Sequence, residues 1–332
     1  MKKTIVITSI FEPTEAVKLF AQSGKHDLIV IGDKKSPENW ECTNAQFVSV
    51  KDQLALSFRL INELPFNHYS RKMIGYLLAI KNGADCIIDT DDDNLPLENW
   101  DFPVFNGNFE SIQENQGFVN IYQLFTDQKI WPRGLPLHLI NKAYSFNGMS
   151  RTDCNVGIWQ GLADEDPDVD AIYRLTSDMP CYFNKRNPVV LSKGTVCPFN
   201  TQNTIIRKEL YPLLYLPTYV TFRFTDILRG LVAQPIMWLY NYTLGFTEAT
   251  VIQKRNPHDY MKDFISEIPM YEKGEQVIEL VSNVISKEQS IAQNMKLAYQ
   301  SLAEHGIVNE KELLTLEAWL TDLDNLQLVR EE

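Results

Sequence analysis

The sequence predicts an α/β fold, with a mostly parallel, doubly wound sheet followed by a C-terminal helical extension. In the first 95 residues, short apolar runs alternate with segments of helical spacing, an order typical of strand–helix–strand units. Beyond about residue 259, apolar residues recur every three or four positions, which favours helices. We therefore divide the 332 residues into a sheet domain, 1–258, and a helical subdomain, 259–332.

The individual elements follow from local signals along the chain. Thr14 is suited to cap the first helix and Gly24 to end it. The middle of the chain, from about 95 to 220, has few periodic signals, and we expect loops with short strands at 117–125 and 173–176. The most apolar segment, 227–246, contains Arg, Gln and Pro, so it predicts a core helix and not a membrane span. Before residue 95 the predicted strands are 4–10, 27–33, 45–50 and 86–94, and the predicted helices are 14–24 and 70–84.

Composition excludes several classes of function. The formal net charge is −12, which repels nucleic acid, and no basic block reverses it locally. The five cysteines are scattered without a CxxC pair, which predicts free thiols in a reducing cytoplasm and no zinc site. The apolar run after the first residues is about seven residues long, too short for a signal peptide. We expect a cytoplasmic protein without a transmembrane segment.

An acidic cluster follows the fourth predicted strand, in the segment Ile87–Asn94. Asp89, Asp91, Asp92 and Asp93 place four carboxylates within five positions, an arrangement that is costly unless a cation or water lies between them. Ligands of doubly wound sheets collect beyond the carboxyl ends of strands. We therefore predict that Asp91 and Asp93 hold Mn²⁺ or Mg²⁺, which would bind the two phosphates of a nucleotide. The alternatives are a solvated acidic turn or a Ca²⁺ loop, although the glycine and terminal glutamate of an EF-hand are missing.

Other charged residues suggest binding and catalytic roles. Arg71 and Lys72 begin a predicted helix, where cations are disfavoured unless an anion binds there; the alternative is a solvent-facing pair. Asp226 lies near another helix start, between Arg223 and Arg229. It could be a general base kept ionised by these arginines, or a capping residue in a salt bridge.

Four further residues are candidates for the site. Arg133 lies in a turn held by Pro132 and Gly134. The segment 161–176 carries five acids, among which Asp170, with Asp168, is a catalytic candidate. His258 could complete a metal shell, although a lone histidine is more often structural.

Taken in order, these segments resemble the STELLO-type glycosyltransferase-like family, from about residue 28 to 322. The matching pieces are VIGDKKSP, SRKMIGYLLAIKNGA, DTDDDN, WPRGLPL, GLADEDPDVDAIYRLT, KGTVCPFNTQNT, TDILRGLVAQPIMW and EAWLTDL. A more distant resemblance is to the reversibly glycosylated polypeptides, which are UDP-arabinopyranose mutases. Their acidic triplet is similar to residues 91–93, and their glycosylated arginine lies in a turn similar to Arg133–Pro136.

The resemblance implies a GT-A fold, in which 1–258 is the nucleotide-sugar-binding catalytic domain. It implies a glycosyltransferase that uses a nucleotide-diphosphate sugar, most simply a UDP-sugar, and a carbohydrate acceptor, alone or together with other polysaccharide-synthesis enzymes. Thr8, Ser9 and Asp33 would line the base and ribose pocket, and Asp92 would contact the donor with Arg71 and Lys72. The family motif is closer to D-x-D-D followed by a basic residue, so which two carboxylates bind metal stays open. Two alternatives also stay open: a sugar-nucleotide mutase that uses Arg133, and a non-catalytic scaffold.

Overall fold

The computed structural model describes residues 1–98, 100–177, 179–255 and 259–331. Its strands are β1 (Lys3–Thr8), β2 (Asp27–Ile31), β3 (Gln46–Val48), β4 (Cys86–Thr90), β5 (Asn94–Pro96), β6 (Asn106–Ile112), β7 (Gly117–Phe118), β8 (Ser150–Asp164), β9 (Val189–Leu191), β10 (Thr195–Val196), β11 (Asn203–Arg207) and β12 (Thr243–Gln253). Its helices are α1 (Glu15–Ser23), α2 (Val50–Leu54), α3 (Leu60–Glu63), α4 (Lys72–Lys81), α5 (Ala171–Thr176), α6 (Thr225–Leu239), α7 (Tyr260–Ser282), α8 (Ile291–Glu304) and α9 (Lys311–Glu331). The predicted α/β class is confirmed.

A ten-stranded sheet runs through the molecule in the order β3-β2-β1-β4-β11-β8-β6-β9-β12-β5. The first four strands in this order are parallel, and β11 joins them antiparallel to β4. Beyond β11 the pairing is mixed. Because β1, β2 and β4 are parallel, their carboxyl ends meet at one edge of the sheet, where a doubly wound sheet binds its ligands.

The early elements form where the sequence predicts them. Thr14 accepts a hydrogen bond from the backbone N–H of Val17, and Gly24 ends α1 in the left-handed conformation, as expected for a capped helix. Helix α6 is buried over nearly its whole length, because it lies between strand β12 and helices α7 and α8. At Gly230 a Cβ would lie 2.6 Å from the carbonyl oxygen of Phe199, so glycine permits this close approach.

The expectations for the middle of the chain are partly wrong. Strand β8 has 15 residues, where we expected loops. The segment predicted as a strand at 173–176 is the end of helix α5, because Asp170 caps that helix by accepting from the N–H of Tyr173. Of the strand expected at 117–125, only β7 forms, and Ile121–Leu124 is a 3₁₀ turn.

The C-terminal helices are held to the sheet domain by buried carboxylates. Glu312 of α9 accepts hydrogen bonds from the N–H groups of Thr218 and Tyr219 at 2.8 and 2.7 Å. Asp322 accepts from those of Arg59 and Leu60 at 3.0 and 2.9 Å, where α3 begins. These contacts tie α9 to segments far away in sequence; the domain boundary at residue 258 stays a prediction.

All five cysteines are free thiols, and Cys86, Cys181 and Cys197 are buried. The predicted absence of a disulfide framework agrees with this arrangement. Within the described ranges, no helix has the length and apolarity needed to cross a membrane.

Candidate functional site

Two adjoining cavities lie beyond the carboxyl ends of β1, β2 and β4. The acidic cavity, about 210 Å³, is lined by Asp91, Asp92, Asp93, Arg133, Asp168 and Asp226, among others. The aromatic cavity, about 240 Å³, is lined by Ile10, Phe11, Asp33, His68, Tyr69 and Phe222, among others. Thr8, Tyr69, Asp92 and Phe222 line both, so the two cavities form one continuous cleft.

The three carboxylates predicted to bind metal or donor all face the acidic cavity. Asp91 directly follows β4, and its side chain is 37% exposed, so it is accessible from the cavity. Asp92 accepts a hydrogen bond from the Ser9 hydroxyl, and Gln253 Nε2 lies 3.3 Å from Asp93 Oδ1. Burial, followed by repulsion from its acidic neighbours, raises the pKa of Asp91 to about 7 in spite of the nearby Lys72.

Asp89, the first carboxylate of the cluster, is separated from the other three by its burial. Its Oδ1 lies 2.6 Å from Lys72 Nζ and its Oδ2 lies 2.8 Å from Arg229 Nη1. Tyr76 also donates to Asp89, at 2.7 Å. Two cations therefore compensate the one charge of Asp89, which explains how four carboxylates can lie so close together.

The phosphate contacts of Arg71 and Lys72 stay a prediction: Arg71 lines the aromatic cavity, but both side chains also have partners inside the protein. Arg71 is buried, and it donates to Gln53 Oε1 through Nε and Nη2 at 2.9 and 2.6 Å. Lys72 donates to the Thr90 carbonyl at 2.6 Å and lies 3.3 Å from Asp91 Oδ1. The helix does not present two unpaired cations to a ligand; its lysine instead contacts Thr90 and Asp91 at the end of β4.

Arg133 bridges the two other carboxylates of the acidic cavity. It donates to Asp168 through Nε and Nη2, both at 2.8 Å, and to Asp226 through Nη1 and Nη2 at 3.0 and 2.8 Å. Nη1 also donates to the carbonyl of Arg223. Only 4% of Arg133 is exposed, so all the nitrogen atoms of its guanidinium group are engaged inside the protein.

The turn around Arg133 is shaped by the glycine that follows it. Gly134 has φ +91°, and a Cβ there would lie 2.5 Å from Ile227 Cγ2 in α6. Both the backbone conformation and the close contact therefore require glycine. The result is that the arginine is presented to the first turn of α6, where Asp226 lies.

Asp168 and Asp226 differ in how strongly they are held. Asp168 accepts a further hydrogen bond from Asn200 Nδ2 at 2.8 Å. Burial alone would raise the pKa of Asp168, but Arg133 and Arg223 lower it to about 2. Asp226 accepts only a long third bond, from the N–H of Thr201 at 3.4 Å. Asp168 is therefore held more tightly as a structural carboxylate, and Asp226 stays our candidate base.

Asp226 forms its direct ion pair with neither of the arginines that flank it in sequence, and Asp170 lies away from both cavities; the catalytic roles of the two carboxylates stay predictions. Arg229 pairs with Asp89, while Arg223 pairs with Glu267 at 2.8 Å; the partner of Asp226 is Arg133. Asp170 is fully buried, caps α5 and accepts from Trp131 Nε1 at 2.7 Å. Asp170 lines neither cavity; Asp168, two residues earlier, lines the acidic cavity.

A buried chain of contacts connects the two halves of the acidic cavity. Arg229 donates to Asp89 at 2.8 Å and to the carbonyl of Asn200 at 3.1 Å. Asn200 in turn donates to Asp168. The strand that carries Asp91 is thus fixed relative to the carboxylates that contact Arg133.

Thr8, Ser9 and Asp33 lie at the ends of β1 and β2, as predicted, and all three line the aromatic cavity. Asp33 accepts from the N–H of His68 at 3.2 Å, which holds its carboxylate beside the cavity. Phe11 and Phe222 are 45% and 53% exposed, so this cavity offers apolar surface together with the carboxylates of Asp33 and Asp92.

Asp91 and Asp93 are the residues that could hold a metal ion in the acidic cavity. In the part of the chain that the structure describes, no group of three or more His, Cys, Asp or Glu side chains is arranged to hold an ion by itself. Mg²⁺ is commonly held by one or two carboxylates while water and substrate phosphates supply the rest, and Asp91 and Asp93 fit that requirement. A divalent cation would also relieve the repulsion within the cluster. His258 lies outside the described residues.

Several site residues were not predicted from the sequence. Tyr69 and Phe222 join the two cavities, with ring centroids 4.8 Å apart, and Gln253 and Arg255 line the acidic cavity from the end of β12. Tyr69 stands two residues before the predicted pair Arg71–Lys72, and Phe222 four residues before Asp226. Their closeness to these predicted residues was the available signal. No sequence motif near Gln253 or Arg255 marks these two residues as part of the site.

Comparisons with known proteins give the same relationship as the motifs. Residues 223–330 match the model of the STELLO glycosyltransferases. The chain is 28% identical, over 97% of its length, to a protein of Arabidopsis thaliana named probable glycosyltransferase STELLO1. The resemblance to the STELLO-type family is confirmed. Identity to STELLO2 of the same plant is also 28% over 97% of this chain. This chain spans 44% of each STELLO protein, and the STELLO match crosses the predicted boundary at residue 258.

Proposed function

We propose that this protein is a metal-dependent glycosyltransferase that uses a nucleotide-diphosphate sugar, most simply a UDP-sugar, in polysaccharide or glycoconjugate synthesis. One observation carries the proposal: a strand-end carboxylate pair and a second, arginine-bridged carboxylate pair line the same cavity. The first pair suits a metal diphosphate, and the second pair suits the deprotonation of an acceptor hydroxyl. The similarity to STELLO glycosyltransferases supports the same reading.

The donor would lie along the continuous cleft. Its base and ribose would occupy the aromatic cavity, where Asp33 can accept hydrogen bonds and the exposed rings of Phe11 and Phe222 can pack against a planar group. Its diphosphate would reach the acidic cavity at Asp91 and Asp93. A bound Mn²⁺ or Mg²⁺ would neutralise the charge that develops on the leaving diphosphate.

The remaining chemistry would be done by this chain's own residues. Asp226 would accept the proton of the acceptor hydroxyl, and Arg133 would fix both the position of Asp226 and its distance from Asp168. General-base catalysis of this kind typically contributes about 10²–10⁴-fold. Lys72 would hold Asp91 in place through its contacts with Thr90 and Asp89.

The geometry does not favour the mutase alternative, in which Arg133 carries the sugar. Covalent attachment at a guanidinium nitrogen requires that nitrogen to be accessible and to lose a proton. Arg133 is buried between two carboxylates, and although burial alone would lower the pKa of Arg133, Asp168 and Asp226 raise it well above the ordinary value. The side chain is therefore a poor nucleophile and a good structural bridge.

Replacing Asp91 or Asp93 by asparagine is expected to weaken Mn²⁺-dependent binding of UDP by at least about tenfold, because even outer partners of metal ligands typically contribute roughly 10–100-fold. Titration calorimetry with UDP, with and without Mn²⁺, measures this effect. Asp153→Asn, an exposed acid at the start of β8, is the matched control and should bind as wild type. If both site variants bind UDP with unchanged affinity in the presence of Mn²⁺, no metal ion binds at Asp91 and Asp93.

The proposal itself is tested by thermal unfolding with a panel of nucleotides and nucleotide sugars in the presence of Mn²⁺. A ligand at 100 times its Kd stabilises the folded state by about 2.7 kcal/mol. We expect UDP-sugars to raise the melting temperature only when the metal is present. If no nucleotide sugar changes the melting temperature, the proposed function is wrong.

A further inference from the structure

A third cavity adjoins the acidic cavity on the side away from the aromatic cavity. This outer cavity, about 530 Å³, is lined by Asp166, Arg174, Met179, Lys254, Arg255 and Tyr260, among others. It shares Gln253 and Arg255 with the acidic cavity and no lining residue with the aromatic cavity. The proposed reaction centre therefore lies between two spaces, one on each side.

We propose that the outer cavity binds the acceptor, and that this acceptor is a neutral carbohydrate. The inference rests on the proposed function. Transfer between two substrates requires the acceptor hydroxyl to approach the reaction centre while the donor nucleotide occupies its own pocket. The aromatic cavity is the donor side in our proposal, so the outer cavity is the space that remains open to the second substrate. Its volume lies in the range usual for small-molecule sites.

The charges in the outer cavity favour a neutral ligand. Arg255 Nε lies 2.7 Å from Asp166 Oδ2, and Arg174 pairs with the other oxygen of the same carboxylate. Lys254 Nζ lies 2.6 Å from Glu165 Oε2. Each charged side chain that lines the cavity thus has a partner of opposite charge, with Asp166 shared by two arginines, and an anionic ligand would have to compete with Asp166 or Glu165 for these cations.

The same groups suit the hydroxyls and ring faces of a sugar. Paired carboxylates and guanidinium groups offer fixed acceptors and donors beside each other, as polyhydroxylated ligands require. Tyr260 and Met179 are 37% and 63% exposed, and they present apolar surface against which a sugar ring can pack. Charged pairs alone could bind many kinds of solute. Charged pairs beside exposed apolar surface favour a carbohydrate, because a sugar has both hydroxyl groups and an apolar ring face.

Two variants test the outer cavity from opposite directions. Tyr260→Ala removes apolar surface, and Ser177→Trp fills the cavity with a larger side chain. The matched control is Tyr219→Ala, since Tyr219 is 38% exposed and lines none of the three cavities. Binding of wild type and variants is measured on an array of neutral and anionic oligosaccharides, and binding of UDP with Mn²⁺ is measured in parallel by calorimetry.

We expect wild type and Tyr219→Ala to bind neutral oligosaccharides. Both cavity variants should lose at least about tenfold in oligosaccharide affinity, roughly the effect of 1.4 kcal/mol. Their affinity for UDP should be unchanged. Unchanged oligosaccharide binding in both variants would overturn the assignment, as would preference for anionic glycans or no glycan binding by wild type. If the wild-type protein binds no nucleotide, the proposed function is wrong. Oligosaccharide binding on the array still tests the outer cavity in that case. The two failures are therefore distinguishable.

Discussion

Replacing Asp226 by asparagine is expected to lower kcat for sugar transfer by roughly 10²–10⁴-fold, the usual contribution of a general base. Asparagine keeps the size of the side chain and one hydrogen-bond acceptor for Arg133, but it cannot take a proton. Donor binding should persist, because Asp226 is separate from the strand-end carboxylates that would hold the metal. Transfer of labelled sugar from a donor that wild type turns over gives kcat, and calorimetry gives the donor Kd.

Asp168→Asn is the informative comparison for this experiment. Asp168 has a pKa of about 2 and accepts from both Arg133 and Asn200, so we expect its loss to disturb the position of Arg133 more than the proton transfer. A smaller decrease in kcat than for Asp226→Asn follows. If turnover of Asp226→Asn stays within a few-fold of wild type while Asp168→Asn is inactive, Asp168 is the base instead.

Removing the Arg133 side chain by alanine substitution is expected to cost about 3–5 kcal/mol in the free energy of unfolding. Breaking a buried ion pair by removing one partner typically has this cost, because it leaves an uncompensated charge inside the protein. Here two carboxylates, Asp168 and Asp226, would be left facing each other. Urea unfolding monitored by circular dichroism measures the change in free energy.

Arg186→Ala is the control for the loss of an arginine, because the Arg186–Glu110 pair is partly exposed at 24% and 31%. Such pairs contribute about 0–1 kcal/mol. Arg133→Lys keeps the charge but loses the planar fork that contacts both carboxylates, so we expect an intermediate loss of stability and reduced transfer. Equal stability of Arg133→Ala and Arg186→Ala would show that the bridge is unimportant. Intact mass after incubation with UDP-sugar should show no sugar on Arg133.

The elements that the sequence predicts well are those with strong local signals. Helix α1 has a threonine cap and a terminal glycine, and β1, β2 and β4 are short apolar runs with polar residues at their ends. Strand β8 was missed because its exposed residues, 150–153, and its buried residues, 156–163, stand in separate runs instead of alternating. Its partners, β6, β11 and β12, are also distant in sequence. Pairing of that kind leaves no local pattern.

The site shows the same division between local and non-local information. Asp91, Asp92 and Asp93 could be placed at a strand end from the sequence, and they line the acidic cavity. The partner of Asp226 could not be predicted, because Arg223 and Arg229 are its neighbours in the chain whereas Arg133 reaches it from 93 residues away. Asp168 and Asp170 are indistinguishable in sequence; the direction of the chain after β8 decides that Asp168 faces the cavity and Asp170 caps a helix.

The most direct test of the central proposal is incubation of the wild-type protein with labelled UDP-sugars, Mn²⁺ and neutral oligosaccharide acceptors, with the label followed in each product. The account predicts label on the acceptor, dependent on the divalent cation and abolished by Asp91→Asn. Three results would contradict it: isomerised free nucleotide sugar, which would indicate a mutase; label on the protein itself; or no turnover of any donor, which would indicate a non-catalytic scaffold.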